Sequence, residues 1–116
     1  MAITTEQITI QIMNTVNAAK EELARCRTHH DHSARYHEAR WWKILMMEFQ
    51  RGYDASLERG KGMTGREAFD HTVRVLTPNW HGRLESCLNH NCLPEARATT
   101  TMLRFVNEVQ EDMRTA

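Results

Sequence analysis

Six apolar residues near the start of the chain constrain its fold most. Ile8, Ile12, Val16, Ala19, Leu23 and Cys26 are separated by four, four, three, four and three positions. At 3.6 residues per turn, that spacing puts all six on one stripe of a long amphipathic helix. The same period returns in Trp42, Leu45, Met46, Phe49 and Tyr53, in Phe69, Val73 and Leu76, and in Thr99, Met102, Val106, Val109 and Met113, with Leu103 alongside the last set. β-branched residues rarely alternate with polar ones, so strands find little support. The expected fold is all-α: a compact bundle of four or five helices forming one domain over residues 1–116.

Local signals set the boundaries. Thr4 and Gln7 have capping-box spacing for a first helix over about residues 5–27. A polar loop, Thr28 to Ser33, follows, and Asp31 or Ser33 can cap a second helix over residues 34–59 that ends at Gly60 or Gly62. Thr64 and Glu67 form a second capping box. The chain has two prolines, Pro78 and Pro94, and both suit the first turn of a helix. The third helix is therefore expected to stop before Pro78. A short fourth helix, capped by Thr77, then carries Trp80, Leu84 and Leu88 on one face. After a turn at residues 89–93, the last helix starts at Pro94. Ile10 lies off the first stripe, either exposed or covered by something else.

Charge and cysteine content narrow the function. Lys and Arg number 15, as do Asp and Glu, for a formal net charge of zero. Proteins that live on nucleic acid usually carry a basic excess that displaces counterions from phosphates, and an anionic membrane surface asks for the same. Neither direct nucleic-acid binding nor membrane association is expected. No apolar run approaches the length of a membrane span, and the N-terminus does not read as a secretory signal. Three cysteines, Cys26, Cys87 and Cys92, do not suggest a disulfide framework, so the expected location is cytoplasmic. Leu, Ile, Val and Phe sum to 21 of 116 residues. With so little apolar material, self-association is an economical way to add buried area, and a homodimer is expected.

The most informative segment is Trp41-Trp42-Lys43-Ile44-Leu45-Met46-Met47-Glu48-Phe49. Trp42, Leu45, Met46, Phe49 and Tyr53 share one helical face, whereas Ile44 and Met47 point nearly the opposite way, beside Tyr36 and Arg40. This second apolar face needs cover. Either the remaining helices wrap it, making helix two central, or another molecule does. Trp, Tyr, Met and Arg are the types enriched at protein interfaces. Tyr36, Arg40, Trp41, Ile44 and Met47 are accordingly the candidate partner-binding residues.

The chain holds seven histidines. Cys87, His90 and Cys92 could supply three zinc ligands, with His81 as a fourth, but the usual paired Cys-x-x-Cys or His-x₃-His module is missing. No metal or other cofactor is expected, and a small zinc-stabilised helical module is the alternative reading. Catalysis has little support. There is no nucleophile elbow, phosphate loop or dinucleotide fingerprint, and the Gly60–Gly65 segment lacks Walker spacing and a preceding strand. A Cys87–His90 pair has no third, orienting residue that the sequence can place.

In chain length, helical content, absence of export signals and the doubly apolar Trp41–Phe49 helix, the sequence resembles the QslA-type quorum-sensing antiactivators. These are small helical proteins that bind the activator LasR and prevent its dimerisation. The resemblance implies a homodimeric, non-enzymatic protein that sequesters a transcriptional activator and blocks its dimerisation or DNA binding. It transfers no binding residue; Trp41, Ile44 and Met47 come from the helical wheel.

Overall fold

The computed structural model describes residues 3–59 and 62–115. Four helices account for nearly all of them: α1 (Thr5–Thr28), α2 (Ala34–Arg59), α3 (Gly65–Asn89) and α4 (Leu93–Thr115). There is no strand among the described residues. The molecule measures 44 × 31 × 27 Å, so its long dimension is little more than the ~39 Å of a 26-residue helix.

Both sequence-level capping boxes form. The Thr4 hydroxyl accepts from the Gln7 N–H and the Gln7 side chain accepts from the Thr4 N–H. Thr64 and Glu67 repeat the arrangement at the start of α3. At α2 the cap is Ser33, whose hydroxyl accepts from the Arg35 N–H, while Asp31 accepts from the Ser33 N–H just outside the helix. Those bonds to Ser33 hold the Asp31 carboxyl below its ordinary pKa. Gly62, one of the two expected terminators of α2, has φ +82°, which suits glycine. The other, Gly60, lies outside the described residues.

α1 and α3 end alike. His30 and Asn91 adopt left-handed backbone, with φ 50° and 58°. The next N–H then reaches back to the helix: Asp31 donates to the Cys26 carbonyl and Cys92 to the Cys87 carbonyl, each at 2.8 Å. This is the six-to-one bond of the Schellman closure.

The expected break at Pro78 does not occur. α3 runs unbroken from Gly65 to Asn89 with Pro78 inside it, so there is no separate short helix capped by Thr77. Thr77 instead turns its hydroxyl back onto the Val73 carbonyl at 2.6 Å. Pro78 is exposed, and the carbonyl left without a donor by its missing N–H is on the side open to water, where the loss costs least. Beyond Pro78, Cys87 stands only about 20° from Trp80 on the helical wheel, while Leu88 stands about 80° away. Trp80 is fully buried as expected, but Cys87 turns inward and Leu88 stays 56% exposed.

The helices alternate in direction. Thr9 meets Tyr53 at 2.9 Å and Glu22 meets Arg35 at 2.8 Å, so α1 and α2 are antiparallel. Arg66 reaches the Met113 carbonyl at one end of the α3–α4 pair, and Arg83 reaches Glu95 at the other. α2 packs against all three other helices, while α1 and α4 barely touch.

The core is aromatic around Phe49. Its ring meets Phe69 and Phe105 edge-on, at 5.0 and 6.1 Å between centroids, and Trp80 at a tilt, also at 6.1 Å. Ile8, Ile12, Val16, Leu45, Met46, Met102, Val106 and Val109 complete it. Two close approaches depend on glycine. A Cβ on Gly52 would stand 3.1 Å from the Thr72 methyl, and one on Gly65 would stand 2.7 Å from the Thr5 Cα. The Gly65 N–H also donates to the Thr5 hydroxyl at 2.7 Å.

Candidate partner-binding face

α2 does not hide its whole circumference. One side is sealed: Leu45, Met46, Phe49 and Tyr53 are at most 1% exposed. Trp42, on the same side, is partly buried against that core. On the other side Arg40 is exposed and Ile44 is 37% exposed, while Met47 is partly buried against the core. Tyr36 leans on a small satellite cluster of Leu23, Cys26 and Ala39 and meets the rings of His32 and His37 edge-on.

Of the five candidate residues, Tyr36, Arg40, Ile44 and Met47 form one strip along the open side. Trp41 stands about 60° further round the helix from Ile44. There it packs against the core under the Arg83 guanidinium, 5.2 Å from the ring centroid. Arg83 is itself held at 2.8 Å by Glu95. Trp41 is thus half an interior residue, clamped in place with part of its ring accessible. Cation–π pairs at partly exposed sites contribute about 0.5–1 kcal/mol.

The structure adds a surface that the helical stripes do not reveal. Gly52, Ala55 and Ser56 of α2 face His71, Thr72, Val75 and Leu76 of α3, with Met63 at one end, across an open, mostly apolar groove of about 400 Å³. Val75 is 60% exposed on its rim. Ala55 falls within about 20° of Ile44 on the α2 wheel, so the groove continues the open face toward the C-terminal end of the helix. Its sequence signal is the small-residue set Gly52, Ala55 and Ser56, which leaves one wall of the groove low.

The alternative metal site is not assembled. Among the described residues no group of three or more His, Cys, Asp or Glu side chains is placed to hold a metal ion. The His90 Nδ1 lies 2.8 Å from the Ser86 carbonyl, and the Cys92 thiol points at the His90 carbonyl. His81 is exposed. Nor is Cys87 activated as a catalytic nucleophile. Burial, and then the neighbouring Glu95 carboxylate, push its thiol up to about 11, against the lowering that activates cysteine.

No helix among the described residues is long and apolar enough to cross a membrane. The chain matches no protein-family model, no curated protein and no solved structure.

Proposed function

We propose that this protein acts by stoichiometric binding to another protein, with the open face of α2 as its contact surface. The observation that carries the reading is that Ile44 and Met47 are not sealed inside the subunit, although α2 packs against every other helix. An apolar strip edged by Tyr36, Arg40 and a clamped Trp41 has the composition of an interface centre. The strip serves a homodimer or a partner, and the partner class favoured by the resemblance is a LasR-type transcriptional activator whose dimerisation or DNA binding is blocked by occlusion. A standard interface takes about 800 Å² from each side, roughly a ninth of the 7213 Å² that this chain exposes.

The test uses Ile44→Glu, Met47→Glu and Trp41→Ala. Sedimentation equilibrium reads self-association, and titration calorimetry reads binding to a purified LasR-type activator. Ile44→Glu keeps its helical circular dichroism, because the side chain already meets water, and loses at least one of the two associations. If all three variants fold and both the mass and the partner affinity match the parent protein, the reading is wrong.

A further inference from the structure

The two similar helix ends differ in one respect that has a chemical consequence. Each has the pattern Leu-x-x-Cys-x-x-His: Leu23, Cys26 and His29 in α1, and Leu84, Cys87 and His90 in α3. Each then places a left-handed residue and sends the following N–H back to the cysteine carbonyl. In α1 the returning residue is Asp31; in α3 it is Cys92. The Schellman closure commonly brings the side chains of these two positions near one another, and in α3 both positions are cysteine. The backbone bond between them is 2.8 Å. Both cysteines are free thiols, Cys87 buried and Cys92 exposed.

We infer that Cys92 and Cys87 form a thiol–disulfide modification site at the α3–α4 turn, in which a small disulfide such as oxidised glutathione reacts at Cys92 and Cys87 resolves the adduct. A disulfide needs Cα atoms about 4.4–6.8 Å apart, and the 2.8 Å bond from the Cys92 N–H to the Cys87 carbonyl holds the two backbones close together. The order of events follows from exposure. The Cys92 thiolate attacks one sulfur of oxidised glutathione, forming a mixed disulfide and releasing one glutathione thiolate. The Cys87 sulfur then attacks the Cys92 sulfur, the internal disulfide forms, and the second glutathione leaves. The two protein thiols give up two protons and two electrons, and two molecules of reduced glutathione carry them away. Cys87 is the slower partner, since its burial and the Glu95 carboxylate keep it protonated. Cys26 has no second thiol at its own closure and serves as the internal control.

The experiment incubates the reduced, full chain with oxidised glutathione, quenches with acid, alkylates the remaining thiols, and reads intact mass and peptide masses. The parent protein and Cys26→Ser lose two hydrogens and yield a cross-linked peptide pair holding Cys87 and Cys92, and dithiothreitol reverses the change. Cys92→Ser forms no internal disulfide. Cys87→Ser stops at a glutathione adduct on Cys92. Because Cys92 is exposed, Cys92→Ser retains the fold and keeps the comparison valid even if Cys87→Ser does not. The inference is overturned if the parent protein remains reduced, stops at the Cys92 adduct, or forms only disulfide-linked dimers.

Discussion

Two glycines in one helix should answer the same mutation with opposite signs. Gly65 opens α3 against the first turn of α1. The Cβ of Gly65→Ala would sit 2.7 Å from the Thr5 Cα, and 3.0 Å from both the Thr5 hydroxyl and the Tyr53 hydroxyl. Carbon atoms in contact prefer about 3.5–4.0 Å, so the overlap is large and its main partner is backbone that cannot swing aside. Relief requires the start of α1 to move off α3, which strains the 2.7 Å bond from the Gly65 N–H to Thr5 and the Tyr53 bond to Thr9. One weakened hydrogen bond costs about 1 kcal/mol, and overpacking adds about 1–3 kcal/mol. Less than 1 kcal/mol of helix propensity is returned. The net loss is about 2 kcal/mol, or a Tm lower by about 8 °C for a chain of this size.

Gly82 has nothing within 4 Å of its Cβ position and sits exposed inside α3. Gly82→Ala therefore raises stability by about 0.5–1 kcal/mol and Tm by about 2–4 °C. Thermal circular dichroism together with urea titration measures both. A Gly65→Ala protein as stable as the parent, or a destabilised Gly82→Ala, would refute the packing argument.

Three further outcomes follow. Phe49→Ala removes the ring shared by Phe69, Phe105 and Trp80 and costs about 3–5 kcal/mol in chemical denaturation. Thr64→Ala opens the α3 capping box and costs about 1 kcal/mol, with the loss visible as earlier amide exchange in the first turn of α3. The Cys87 thiol is raised in the folded chain from an ordinary 9.0 to about 11, so the neutral thiol favours folding. Its contribution is intact below about pH 9 and is lost as pH rises toward 11. Over that window the parent protein loses more stability than Cys87→Ala does, measured by urea midpoints at each pH.

Much of the fold is legible in the residues. Every member of the α1 stripe from Ile8 to Cys26 is buried, as are Thr99, Met102, Val106, Val109 and Met113 of α4. These helices touch the core along one seam, so a 3.6-residue period reports their burial directly. Ile10, off the stripe, is 45% exposed. α3 misleads because Pro78 is a strong local stop signal, while its tolerance depends on which side of the bundle it faces, and that is a tertiary fact. Leu88 is exposed and Cys87 buried because an i, i+4, i+8 row drifts about 80° from Trp80 by Leu88, whereas Cys87 comes back to within about 20° of it. At the candidate face, the wheel separates the sealed and open sides of α2 but says nothing about Arg83, a distant residue that clamps Trp41. The α2–α3 groove is equally invisible to a single-helix argument, since it exists only where Gly52, Ala55 and Ser56 lie opposite Val75 and Leu76.

The contacts of Thr5 with Gly65, and of Arg66 with the carbonyl of Met113, gather the beginning of α1 and the end of α4 at one pole of the molecule. The Tyr36–Met47 strip begins at the opposite pole, beside the α1–α2 and α3–α4 turns. A fluorophore or surface tether attached to an exposed side chain at the first pole, such as that of Glu6 or Arg114, therefore departs from the pole opposite Tyr36. Protein immobilised in that way would keep the Tyr36 end of the strip away from the support.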